Sequence, residues 1–205
     1  MAELKRLNNG HCILPLMATT IEYGEHLKNL IQPHIIGVGP VEAAMNTMHI
    51  LCESAERPNF VILIGSSGSA TLAQGEVYQA SSVSYRDMDA SAIGFTKGKT
   101  PFVDLPAELP LDPLFDFLPH ASLSTGGKVI VGAEFSEQTA DMVDMESFAV
   151  KRVCQAFDIP LIVVRGISDG KKELQKFDDW TELLPELDQK FAKATAQIFD
   201  ELAAD

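Results

Sequence analysis

The residues best placed to do chemistry are acids at the ends of apolar segments. In LIVVRGISDG, residues 161–170, an apolar run leads to Arg165, Ser168 and Asp169. Such a run reads as a strand buried on both faces, and open α/β sheets put their chemistry at the carboxyl ends of such strands. Asp169 therefore offers a carboxylic acid to a ligand, or else caps the next segment with Ser168 in the same turn. A second acid, Glu146, lies in the polar run VDMES, residues 143–147, which opens an apolar helical stretch. The helix dipole alone favours an acid in a first turn. Equally, Glu146 could accept hydrogen bonds from vicinal hydroxyls, as on a ribose, while Met145 covers the ligand.

Two glycine-bearing segments could hold a ligand. GVGPVEAAMNT, residues 37–47, takes a strand through Gly37 and Gly39 into a helix with free N-terminal amides. The later glycine of a dinucleotide fingerprint is missing and Pro40 follows Gly39, which argues against an NAD site. Gly65-Ser66-Ser67-Gly68-Ser69 follows the apolar run 60–64. There the glycines allow close backbone approach, and the amides and hydroxyls of Ser66, Ser67 and Gly68 could hold a sugar, a base or an anion, or simply make a tight turn. Neither a lysine-ended phosphate loop nor a GxSxG nucleophile elbow is present.

These residues need elements to carry them. The chain has 205 residues, 46% of them apolar, enough for a substantial core in one domain spanning residues 1–205. Its formal charge of -13 is spread along the chain without a basic patch, which argues against nucleic acid or an anionic membrane as partner. There is no bilayer-spanning apolar run and no stretch of signal-peptide form. Cys12, Cys52 and Cys154 form an odd set in apolar segments without CxxC spacing, the pattern of reduced, buried thiols in a cytoplasmic protein. Strands are expected at 11–16, 34–38, 59–64, 76–83, 128–131 and 161–165, and helices at 21–30, 41–57, 144–157 and 180–202. In the second helix Val41, Ala44, Met45, Met48 and Cys52 form a stripe whose simplest role is core packing, and Phe191, Ala194, Ile198 and Leu202 form another in the last. Prolines 101, 106, 110, 113 and 119 exclude a continuous helix or central strand there, leaving a folded lid, a short helix or an oligomer contact. The expected fold is a compact α/β domain with some antiparallel or mixed sheet.

GVGPVEAAMNT, IGSSGSA, YRDMDASAIGF, VDMESFAVKRVC and VVRGISDG, in that order, resemble the purine nucleoside phosphorylase and nucleosidase superfamily. The likeness covers roughly residues 12–202 and is greatest to the methylthioadenosine/S-adenosylhomocysteine nucleosidase branch. It implies a three-layer α/β/α domain around a mixed sheet, a homodimer, a purine nucleoside as the small-molecule partner, and neither metal nor redox cofactor. By this resemblance Asp169 gives a proton to the purine, oriented by Ser168. Glu146 holds the ribose hydroxyls beside Met145, Phe135 in GAEF covers the purine, and Ser66, Ser67 and Gly68 line the floor. Related phosphorylases carry an arginine where this chain has Leu63, so hydrolysis is favoured over phosphorolysis. The branch's water-positioning glutamate falls at Thr20, and Glu22, two residues on, fills the role if the loop takes a different register. The segment between Phe135 and Asp144 is short for the branch. Asp87 and Asp89 resemble an acidic loop near the site or a subunit contact, or simply stabilise a turn.

Overall fold

The computed structural model describes residues 3–170 and 176–204. Within them lie the strands β1 (Lys5–Arg6), β2 (Cys12–Met17), β3 (His34–Ile35), β4 (Phe60–Gly68), β5 (Val77–Tyr85), β6 (Glu108–Pro110), β7 (His120–Thr125), β8 (Met142–Asp144) and β9 (Leu161–Asp169). The helices are α1 (Glu25–Lys28), α2 (Pro40–Glu53), α3 (Ser147–Ala156), α4 (Phe177–Thr181) and α5 (Leu184–Ala204), with tighter 3-10 turns at Thr20–Glu22, Ser91–Ile93 and Gly132–Glu137.

Side-chain alternation along the central strands builds the layers. Leu14, Leu16, Val61, Leu63, Leu161 and Val163 enter one apolar cluster with Ala43 and Leu51 of α2 and Val150, Val153 and Cys154 of α3. Their neighbours Ile13, Met17, Ile62, Ile64, Ile162 and Val164 enter the other, with Leu27 of α1 and Leu187, Phe191, Ala194, Ile198 and Leu202 of α5. Both faces are covered, so the strands read as unbroken apolar runs and the fold is a three-layer α/β/α domain. Among the described residues no helix is long and apolar enough to cross a membrane.

The sheet is mixed and curls back on itself. β3, β2, β4 and β9 pair in parallel, β9 and β5 antiparallel, and β5, β7 and β8 in parallel. β8 then returns antiparallel to β4 through Gly68 and Val143, closing a ring of β4, β9, β5, β7 and β8. The Ser67 hydroxyl donates to the Val143 carbonyl at 2.7 Å across that closure. An irregularity between Ser67 and Gly68 shifts the β4–β9 register and sets Asp169 opposite Gly68.

Several expectations are corrected. Residues 128–131 form no strand; the sheet position is taken by β7, whose sequence HASLST escapes notice because only Ala121 and Leu123 turn into the core. The helix expected at 21–30 reduces to a 3-10 turn and the single turn of α1. α2 buries Ala43, Thr47 and Leu51, whereas Val41, Met45 and Met48 are 74%, 56% and 38% exposed, and Cys52 is exposed as well. Apart from Ala44, which packs against the core, the expected core stripe is therefore an outward face, because Ala43, Thr47 and Leu51 occupy the side turned to the sheet and α3. The proline-rich stretch is folded: it supplies β6 and buries Leu109, Leu111 and Phe115, while Phe102 stands 96% exposed.

Candidate active site

The last residues of β4 form a floor with a different chemistry at each end. At Gly65 the backbone passes so close to its neighbours that a Cβ there would lie 2.5 Å from Arg165 Nη1 and 3.1 Å from Glu22 Oε2. One residue on, the Ser66 amide donates to Glu22 Oε1 at 2.7 Å. Glu22 is 5% exposed, and the 3-10 turn Thr20–Glu22 delivers it, while Thr20 stays at the surface. It is Glu22, not Thr20, that faces β4.

Arg165, from the middle of β9, is the cation of this end. It is 1% exposed and donates to Asp144 Oδ2 at 2.5 Å and to the Ser147 hydroxyl at 2.9 Å, with Glu146 Oε2 3.9 Å away. Asp144, and not Glu146, caps α3: its carboxylate accepts from the Ser147 amide at 3.0 Å and hydroxyl at 2.6 Å, and from the Thr125 hydroxyl at 2.6 Å. Glu146 is thereby free of capping and turns inward, accepting the Gly39 amide at 2.9 Å. Gly39 has φ +94, a conformation that favours glycine and aims its N–H at the carboxylate. Burial, the charge of Asp144 and, more weakly, that of Glu22 push the Glu146 carboxyl up to about 7, against the opposing pull of Arg165 and the Gly39 amide. Met145, half-buried, joins Asp144 to Glu146.

At the other end stand Asp169 and Phe135. A Cβ on Gly68 would meet Asp169 Oδ1 at 2.8 Å, the Phe135 ring at 3.1 Å and Val143 at 3.1 Å, so glycine is what lets acid and ring converge on the floor. Asp169 is 8% exposed and accepts the Ser168 hydroxyl at Oδ2, 2.7 Å away. Burial raises its pKa, although the Ser168 bond pulls the other way. Phe135 belongs to the 3-10 turn Gly132–Glu137 and is half-buried.

The structure thus gathers Glu22, Ser66, Ser67, Gly68, Phe135, Glu146, Ser168 and Asp169 at one end of the ring. The sequence reading missed two contributors. Trp180 of α4 donates its indole N–H to the Ser66 hydroxyl at 2.9 Å, and the Gly39 amide holds Glu146. The single tryptophan beside a short amphipathic segment was the available signal for the first; for the second, the Gly37–Gly39 segment marks a possible ligand loop but not its partner Glu146. Asp87 and Asp89 accept the amides of Gly127 and Ser91. A cavity of about 520 Å³ lies elsewhere, lined by Ser84, Arg86, Lys97, Ser124 and Glu134 among others. Among the described residues, no group of His, Cys, Asp and Glu is arranged to hold a metal ion.

An acid poised at one end of a glycine-serine floor and a carboxylate cluster at the other define a class that sequence comparison also finds. The profile of the phosphorylase superfamily matches residues 18–204, and the chain belongs to that superfamily. Curated relatives place it in the 5'-methylthioadenosine/S-adenosylhomocysteine nucleosidase branch. The enzyme of that name from Marinomonas sp. is 31% identical over 175 residues, 73% of either chain, and that from Haemophilus ducreyi 29% identical over 187 residues, 81% of this chain and 78% of its own. Among solved structures, the Helicobacter pylori nucleosidase with butyl-thio-DADMe-Immucillin-A matches with a TM-score of 0.78 at 20% identity, covering 92% of this chain and 97% of that one. Futalosine hydrolase from the same species matches with a TM-score of 0.77, at the same identity and coverage. At such identities these structures speak for the fold alone.

Proposed function

We propose that the protein is a purine nucleosidase that hydrolyses the N-glycosidic bond of an adenosine derivative, methylthioadenosine or S-adenosylhomocysteine, to free purine and a ribose derivative. The observation that carries this reading is the division of labour along β4. A buried acid and an aromatic ring flank Gly68, while Glu22 and the Arg165–Glu146 pair flank Gly65 and Ser66.

Breaking the bond sends its electron pair to the purine, and Asp169 offsets the developing negative charge by giving a proton to a ring nitrogen while Ser168 orients it. Phe135 covers the base. The sugar becomes cation-like, and the ionised Glu146 accepts hydrogen bonds from its vicinal hydroxyls beside Met145. Glu22 takes a proton from water as the oxygen attacks the anomeric carbon. Ser66, Ser67 and Gly68 form the floor, and none of these steps draws on a metal or a redox group.

Water is favoured over phosphate by electrostatics. Asp144, Glu146 and Glu22 surround one guanidinium, whose Nη2 donates to Asp144 and Ser147. Leu63, where related phosphorylases carry arginine, is fully buried in the core. A multiply charged anion would meet three carboxylates around a single guanidinium.

The same reading includes a homodimer in the cytoplasm. Val41, Met45, Met48 and Cys52 recur at three- and four-residue spacing on the open face of α2, with exposed Val38 just before the helix, which suits a second copy of the same helix. Cys12, Cys52 and Cys154 are unpaired, which suits a reducing compartment.

The test is purine release from methylthioadenosine, S-adenosylhomocysteine, adenosine, inosine and futalosine, each with and without phosphate, resolving free ribose from ribose phosphate products. Release without phosphate, greatest for the first two substrates, is the expected result. Release only with phosphate would replace hydrolysis by phosphorolysis, and none under either condition would overturn the enzyme reading.

A further inference from the structure

We propose that Asp188, on α5 and remote from the floor, is a positioning residue that sets the register of the Glu22 loop. The inference rests on the reading of Glu22 as the group that positions water. Glu22 sits in a three-residue 3-10 turn that has little rigidity of its own, and the α1 helix that follows is a single turn. Isolated turns of that length do not persist in water, so something outside the loop must hold it.

Asp188 supplies that hold. It is 4% exposed, and its two carboxylate oxygens accept the first free amides of α1, His26 at 2.8 Å and Leu27 at 3.1 Å. Gly24 passes so tightly over the carboxylate that a Cβ there would lie 2.4 Å from Asp188 Cγ. The loop is therefore packed against Asp188 at Gly24 and held by it at His26 and Leu27, four and five residues after Glu22, and on its other side it leaves the buried strand β2. The helix that carries Asp188 is itself seated on β9: a Cβ on Gly166 would meet Leu187 at 2.6 Å and Phe191 at 2.7 Å. Gly166 adjoins Arg165. Asp188 thus ties the Glu22 loop to the strand that presents Arg165 and Asp169, and fixes Glu22 against the Ser66 amide.

The test uses the full chain with Asp188→Asn, Glu22→Gln and the double variant. Asparagine turns a donor toward one of the two α1 amides, so the clamp is lost with little change of volume. Turnover of Asp188→Asn is expected to fall by about 10–100-fold with KM nearly unchanged, because a displacement of the water-positioning group costs kcat and not binding. The losses should not multiply: the double variant should be about as slow as Glu22→Gln alone. Amide exchange supplies a readout independent of turnover. In Asp188→Asn the Ser66 amide, whose acceptor is Glu22, should exchange faster, while the Gly39 amide, whose acceptor is Glu146, keeps its protection. Gly24→Ala, which crowds the same carboxylate, should act in the same direction. Multiplying losses, or unchanged Ser66 exchange in a folded Asp188→Asn, would overturn the role of Asp188. Full turnover in Glu22→Gln alone would instead remove the water-positioning reading itself, and this role with it.

Discussion

At the scale of single residues, the site holds two buried carboxyls with different partners. Asp169 has a hydroxyl and a ring for neighbours, and Glu146 has a guanidinium and a backbone amide. Replacing Asp169 by Asn should lower the rate of purine release by about 10²–10⁴-fold, the usual contribution of a general acid, while a non-hydrolysable nucleoside analogue still binds. Kinetics and equilibrium titration together decide this; unchanged turnover would remove Asp169 from the mechanism. Glu146 gives a second expectation, in stability. Its folded pKa of about 7 lies above the ordinary value of 4.5, so its stabilising contribution is full below about 4.5 and is lost as pH rises through about 7. Urea unfolding of the ligand-free protein should weaken across that window by at most about 1.4 kcal/mol per pH unit from this group, and Glu146→Gln should flatten the slope. Asp169 and Glu146 were legible in the sequence because each ends or follows an apolar run in a recognisable motif. Glu22 was legible only as an alternative, since the register of a loop depends on contacts such as Asp188 that lie far along the chain.

At the scale of elements, the site depends on close backbone passage more than on loop length. β4 can serve as a floor because Gly65 and Gly68 leave room above it, and the shifted register after Ser67 brings Asp169 alongside. Gly68→Ala should keep the fold and its melting behaviour close to wild type yet cut turnover by about tenfold or more, because the added methyl displaces Asp169 or Phe135. Wild-type turnover in that variant would mean that acid and ring do not need their close approach. The buried strands β2, β4 and β9 were readable because covering both faces produces continuous apolar runs. β7 was hidden because serines occupy its second face, and β6 and β8 are too short to carry a period of their own. On α2 the helix was readable and its orientation was not. An apolar stripe states that something is covered, without stating whether the cover is the same chain.

At the scale of the whole molecule, that outward stripe makes the quaternary structure testable. Met45→Glu places a carboxylate in the middle of the proposed face between copies, and sedimentation should report a shift from dimer to monomer. A wild-type chain that sediments as a monomer at high concentration would remove the dimer from the reading. The fold class was legible as a whole because composition, alternating elements and motif order agree, whereas the closure of the sheet was not, since it depends on a single short pairing. That closure has a further consequence, for the order of assembly. The ladder between β8 and β4 has the single pair Gly68–Val143, backed by the Ser67 hydroxyl, and β8 lies beside β7 through its other edge, so it has no place to dock until both neighbours are in position. The segment that joins the ring also leads directly into Glu146 and α3. Refolding should therefore build the apolar layers around β2, β4 and β9 first and seal the ring afterwards, so that ligand-binding competence returns later than the bulk of the secondary structure.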